Sequence, residues 1–193
     1  HGFTGTFDGQ GHKIKNLFIK GYLSQYSVGL FSFGSSNVCI KNLILENINY
    51  KINKPIPVGG IIGELGNLSG EIEYTLDNLI VSGQIITTGA CGGICGEMEE
   101  NNTYNWEKGE YFKKCRNLVS RVNINSFSNY NIGGICGDLD GQIENAVSYS
   151  NLVGACGVGG ITGGCGANSI VLKNCSFYGT AVGQYSGGIV GYN

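Results

Sequence analysis

The chain has 193 residues, of which 41% are hydrophobic, with 34 glycines, 2 prolines and a formal net charge of -2. This length supports one domain with a substantial core. The near-neutral charge, with no basic run, disfavours nucleic acid or an anionic membrane as a partner, and no apolar run is long enough for a transmembrane helix.

The chain alternates between two motifs. GTFDGQGHKIKNLFI at 5 to 19 is followed by VGLF at 28 to 31, IKNLILENI at 40 to 48, VGGIIGEL at 58 to 65 and LDNL at 76 to 79. Then come GGICG at 92 to 96, CRNL at 115 to 118, a second GGICG at 133 to 137, IENA at 143 to 146, GGITG at 159 to 163, LKNC at 172 to 175 and GGIVG at 187 to 191. The asparagines Asn16, Asn42, Asn78, Asn117, Asn145 and Asn174 are 26, 36, 39, 28 and 29 residues apart, which sets a unit of 26 to 30 residues with insertions. A period of this size marks a solenoid or propeller, in which each unit buries its apolar face against the next. Short β-branched and aromatic runs broken by glycine, without a sustained 3.6-residue period, make the units strands.

The columns keep an in-and-out code. Two residues before each Asn stand Ile14, Ile40, Leu76, Cys115, Ile143 and Leu172; one residue after it stand Leu17, Leu43, Leu79, Leu118, Ala146 and Cys175. Both columns are expected inside. The residue just before Asn is always charged (Lys15, Lys41, Asp77, Arg116, Glu144, Lys173) and is expected in water. An Asn kept between apolar columns is expected to form an inward ladder of stacked amides, because a buried amide without partners costs about 1 to 3 kcal/mol. The alternative is Asn as a turn residue that tolerates unusual backbone angles. Each GGIxG is read as a sharp corner plus a short strand, with glycine present because a Cβ would collide with the next coil.

Of eight cysteines, at least four fall in columns otherwise aliphatic, which favours buried thiols. Cys95 and Cys136 on adjacent coils would nonetheless be about 4.8 Å apart, within reach of a bridge. No C-x-x-C exists, and the only histidines, His1 and His12, lie at the N-terminus, so zinc is not expected. No cofactor is expected either.

Three surfaces could carry function. Glu64, Glu97 and Asp138 follow GGIxG on three consecutive coils and would form a carboxylate row, the arrangement from which a polysaccharide lyase or hydrolase takes its acid and base. Glu99, Glu100 and Asp140 extend it, and Glu97, Asp138 and Asp140 form a weak calcium candidate. The plainer reading is a polar turn on the outside of each coil. The insertion EMEENNTYNWEKGEYFKK at 97 to 114 carries Tyr104, Trp106, Tyr111 and Phe112, suited to a glycan platform, a protein contact or a lid over the solenoid. The column Phe18, Ile44, Ile80, Val119, Val147 and Ser176 would form an outward apolar stripe if Ile19, Leu45, Val81, Ser120, Ser148 and Phe177 face inward. N-x-S/T sequons stand at Asn67, Asn101 and Asn174, the last expected to be unusable inside the ladder.

The segment GTFDGQGHKIKNLFI, with VGLF, IKNLILENI and VGGIIGEL after it, resembles the GLUG-type repeats of bacterial surface proteins, IgA-protease-like and adhesin-like. The matching positions are Gly5, Phe7, Gly9, Gly11 and Ile14. The resemblance covers essentially the whole chain and implies a right-handed parallel β-solenoid used as a spacer or binding surface; the cysteines and the 97 to 114 insertion depart from it.

The sequence is therefore expected to form a single all-β domain over 1 to 193, a right-handed parallel β-solenoid of about six coils with an inward Asn ladder and Gly-Gly corners. Because it begins with His1 and stops within a repeat, it is expected to be a fragment. The expected role is a non-catalytic structural or adhesive segment of an extracellular, cell-surface or particle-surface assembly, fibre-like in form. Expected partners are proteins or other copies of the chain, through the solenoid ends or the apolar stripe, and glycans. The alternative is a polysaccharide-active or glycan-binding solenoid using the carboxylate row and the aromatic loop.

Overall fold

The computed structural model describes residues 2–21, 26–66, 73–98, 104–105, 110–111, 113–127, 129–165 and 170–192. Among these there is no helix, and so none long and apolar enough to cross a membrane. Apart from one small antiparallel hairpin, the strands pair in parallel, each with its counterpart one repeat away. The chain is a β-solenoid. Its corner recurs six times and encloses about five turns, slightly fewer than the six coils expected.

The corner motif stacks residue on residue. Phe31, Ile62, Cys95, Cys136, Thr162 and Val190, which share the fourth place of the motif, are paired in register along the stack. The residue before each, isoleucine in all but the first, where it is Leu30, carries the corner's own hydrogen bonds: the Ile61 N–H donates to the Ile94 carbonyl at 2.9 Å, Ile94 to Ile135 at 2.9 Å, and Ile135 to Ile161 at 2.9 Å.

Each glycine of GGIxG has a separate steric reason. A Cβ on the first would lie 2.0 Å from the carbonyl oxygen of residue x in its own coil at Gly59, and 1.8 Å at Gly133, so the turn itself excludes it. A Cβ on the second would strike the next corner, at 2.3 Å from the Gly93 oxygen for Gly60 and 2.2 Å from the Gly160 oxygen for Gly134. A Cβ on the third would strike the preceding coil, at 2.4 Å from the Gly63 oxygen for Gly96. Close approach, not a left-handed backbone, is what requires glycine here.

The long strands bend at the asparagines. Along Tyr74–Thr87, alternation runs Tyr74 and Leu76 in, then Leu79 and Val81 in, so a three-residue step replaces a two-residue one at Asn78. Asn78 has φ +53, and Asn16, Asn42, Asn117, Asn145 and Asn174 have φ between +49 and +57, a region that Asn enters more readily than most side chains. The bend puts the charged residue and the Asn outside together and returns both apolar columns to the core. That core is continuous: Ile40, Leu43, Leu76, Leu79, Cys115, Leu118, Ile143 and Ala146 are all buried.

Two expectations are corrected. The ladder exists, with Asn78 Nδ2 donating to Asn42 Oδ1 at 2.8 Å, Asn145 to Asn117 at 3.3 Å and Asn174 to Asn145 at 2.9 Å, but these amides are on the outside. The inward direction is wrong because a left-handed residue turns the side chain out of the bend; turn residue and ladder are one device, not alternatives. Asn174, being exposed, is also not barred from its sequon by burial. Secondly, Asn16 does not stand under Asn42. Asp8 aligns with Lys41, and Lys15 with Glu46, so the Asn42 amide donates to Asp8 Oδ1 at 3.0 Å while Asn16 accepts from Asn47 Nδ2 at 2.7 Å.

Candidate functional site

The corrected register changes the charged column. In line along the stack stand Asp8, Lys41, Asp77, Arg116, Glu144 and Lys173, so the sign alternates at every step. Ion pairs join Lys41 to Asp8 at 3.4 Å, Arg116 to Asp77 at 2.8 Å and Lys173 to Glu144 at 3.1 Å. The sequence placed Lys15 beside Lys41, which would have opposed two cations; Asp8 removes that clash. The Asn42 amide, then the Gln10 N–H and Lys41, hold the Asp8 carboxyl below its ordinary range. Lys13 and Lys15 do the same for Glu46. Such exposed pairs contribute little stability each, but they penalise a slipped register.

The carboxylates Glu64, Glu97 and Asp138 stand in register on adjacent strands, with Phe33 before them and Gly164 after. All three are half-buried. Asp138 accepts a hydrogen bond from Asn131 Nδ2 at 2.7 Å, so part of its hydrogen-bonding capacity is structural. Asp140 is fully buried and does not continue the row on the surface. Among the described residues no group of three or more His, Cys, Asp or Glu side chains is arranged to hold a metal ion. Glu99 and Glu100 lie outside the described residues, as do sequon residues Asn67 and Asn101.

Of the aromatic insertion, Trp106 and Phe112 lie outside the described residues. Tyr104–Asn105 pairs with Glu110–Tyr111 as an antiparallel hairpin, the one departure from parallel pairing among the described strands.

The eight cysteines are free thiols, four of them (Cys91, Cys95, Cys115, Cys136) buried, and Cys136 pairs in register with Cys95. Burial pushes the Cys91 and Cys136 thiols up, in the second case helped by the neighbouring Cys95. These are core side chains.

The register of the outward column is as expected from Ile44 onward: Ile44, Ile80, Val119 and Val147 are half-buried on the outer side, while Leu45, Val81, Ser120 and Ser148 are buried beneath. Phe18 is not part of it. Lys13 pairs with Ile44, and Phe18 instead pairs with Asn49 on the next face. The motif columns do not reach that next face, where Asn49, Gln84 and Asn123 align in register. The signal was present as amides six residues after the ladder Asn at Gln84, Asn123 and Asn151, but an insertion at Glu46 and Asn47 makes the spacing seven at Asn49.

No family model matches the chain. It is similar to Halomucin of Haloquadratum walsbyi, with 31% identity over 100 residues, a stretch that is 52% of this chain and 1% of Halomucin. Its fold is similar to that of a Bacteroides ovatus crystal structure described as a candidate immunoglobulin A1 protease, with a TM-score of 0.50 and 17% identity, covering 95% of this chain and 68% of that one. That likeness concerns the β-solenoid alone, and the GLUG-type resemblance rests on the motifs.

Proposed function

We propose that the chain is a non-catalytic structural and adhesive segment of an extracellular or cell-surface assembly. The observation that carries this reading is the parallel stacking: corner and alternating charges recur from coil to coil around one continuous core, and the outer asparagines recur with them, Asn117 turning its amide to Asp77. A repetitive stack gives length, stiffness and repeated outer columns, which serve spacing and contact more directly than chemistry. The similarity to part of a protein named as a mucin favours the same reading and a surface location. The half-buried stripe Ile44, Ile80, Val119 and Val147 is the face offered to a protein or to another copy of the chain.

The test is immunogold labelling and protease shaving of intact cells that make the protein. Surface label that shaving removes is the expected result; label confined to the cell interior would overturn the reading. The second reading, a polysaccharide-active solenoid, draws on the in-register carboxylates Glu64, Glu97 and Asp138. It requires turnover of a polysaccharide by the native chain and its loss in Glu97→Gln; no turnover, or turnover unchanged by that substitution, removes it.

A further inference from the structure

The face after the amide ladder holds a groove of 390 Å³, within the range of small-ligand clefts, roughly 300 to 1,000 Å³. Its floor and walls are Asn47, Asn49, Gln84 and Asn123, with Asn16 and Gly83 at the bend and the ring of Phe18 at one end. No charged side chain lines it. Amides both donate and accept hydrogen bonds, so such a lining matches a neutral ligand whose groups do both. Oδ1 of Asn49 is closed from water and has no protein partner, so Asn49 serves as a wall, and the exposed amides of Gln84 and Asn123 are the ones open to a ligand.

The groove is one end of a longer track. Asn49, Gln84 and Asn123 align in register, the Asn151 N–H donates to Asn123 Oδ1 at 3.1 Å, and the Thr180 hydroxyl donates to Asn151 Oδ1 at 3.0 Å. Polar side chains thus recur along the solenoid axis at the strand spacing, about 4.8 Å. Two residues earlier on three successive strands, on the same face, stand Arg121, Tyr149 and Tyr178. The Arg121 guanidinium lies over the Tyr149 ring at 4.8 Å, and Tyr149 stacks on Tyr178 at 5.4 Å. Phe18 is 56% exposed and Tyr178 61%, which is unusual for rings with a core beside them. Gly83 is fixed at the bend: φ is +135, and a Cβ there would lie 2.2 Å from the Ile48 oxygen, so glycine lets the two strands that line the groove approach closely.

We propose that this face binds a neutral, hydroxyl-rich oligosaccharide chain lying along the solenoid axis. Gln84 and Asn123 would read its hydroxyls in the groove, and the exposed ring of Phe18 would cover the apolar face of one of its rings; the Tyr149 ring, held between Arg121 and Tyr178, borders the oligosaccharide by its edge. Hydroxyls donate and accept as amides do, sugar rings present C–H faces to aromatic rings, and a polymer of like units suits like groups at even spacing. No cation lines the groove itself, and Arg121, beside it on the same face, is held over the Tyr149 ring, which sets the groove apart from a site for acidic glycans or phosphates. This inference does not depend on the cellular location proposed above, since the groove binds or fails to bind wherever the chain resides.

The experiment titrates the chain with maltohexaose, cellohexaose and xylohexaose, with hexagalacturonate as the charged comparison, following side-chain amide signals by NMR. At least one neutral hexasaccharide is expected to shift the Gln84 and Asn123 amides, with affinity unchanged between about 50 mM and about 500 mM salt. Gln84→Ala with Asn123→Ala is expected to weaken that binding about tenfold, and Phe18→Ala to weaken it by a similar factor. The exposed pair Gln84→Glu with Asn123→Asp serves as a second variant, expected to lose binding with the fold intact. No binding by any neutral probe up to about 10 mM, salt-dependent preference for hexagalacturonate, or binding undiminished in both double variants would each overturn the proposal.

Discussion

The repeated GGIxG carries the packing argument, and its second glycine allows a matched pair of substitutions. At Gly134 an added Cβ would lie 2.2 Å from the Gly160 carbonyl oxygen and 2.1 Å from the Ser148 hydroxyl. Ser148 can rotate; the carbonyl is held in the corner ladder, where Gly134 N–H donates to Gly159 at 3.1 Å and Ile135 N–H to Ile161 at 2.9 Å. Since Cβ contacts under 3.0 Å are essentially never found, the two coils must part by at least 3.0 - 2.2 = 0.8 Å. Overpacking of this kind costs about 1 to 3 kcal/mol, and stretching a corner hydrogen bond adds about 1 kcal/mol. Gly134→Ala is therefore expected to lower stability by about 2 to 4 kcal/mol. Gly188 occupies the same place in the last repeat of this chain, but a Cβ there meets nothing within 4 Å and its φ is not positive. Gly188→Ala should leave stability unchanged or raise it by about 0.5 kcal/mol, through the unfolded chain. Urea unfolding followed by far-UV circular dichroism measures both. A Gly134→Ala midpoint equal to the parent's, or equal losses in the two variants, would refute the steric account.

The ladder separates in the same way into bend and amide. Asn145→Ala loses one bond to each neighbour and places alanine at φ +53, for a cost of about 2 kcal/mol, while Asn145→Gly keeps the bend and should cost about half as much; equal losses would mean the left-handed angle is irrelevant. Cys91 and Cys136, buried with raised thiols, should resist iodoacetamide in the folded chain and react only on unfolding, with mass-spectrometric peptide mapping as the check; labelling as fast as that of half-buried Cys175 would contradict their placement. Asp8 and Glu46 are held below their ordinary values of 3.8 and 4.5, so their stabilising contribution is present above those values and is lost as the pH falls past them toward the lower folded values. Hydrogen exchange should then show Gly9, Gly11 and Asn16 amides losing protection relative to Ile94 and Ile135 on acidification, and an unchanged ratio would contradict the sign.

The repeat made the stack legible. From the second coil on, the columns at -2 and +1 from Asn, and the x position of GGIxG, were read from spacing alone and lie in register as read, because burial imposes one side-chain type per column; Ile14 pairs instead with Leu45. The direction of the asparagines was not legible from that pattern: two apolar columns three residues apart fit either an inward Asn on an extended strand or an outward Asn at a left-handed bend. The first coil was misaligned for a different reason. Its ladder position is filled by Gly9 and Asp8, not by an asparagine, so pattern matching seized on Asn16, which stacks instead on Asn47 one bend later. The carboxylate row was legible, since Glu64, Glu97 and Asp138 follow the motif at a constant offset. The amide face was not, because the extra residue near Asn47 shifts Asn49 out of step, and no apolar periodicity marks an outward column.

The most direct test of the central claim is electron microscopy of the full-length native protein purified from its source without reducing agent. Thin, regular rods of repeating coils within a fibre or surface layer are the expected result. Free monomers that turn over a polysaccharide would contradict it.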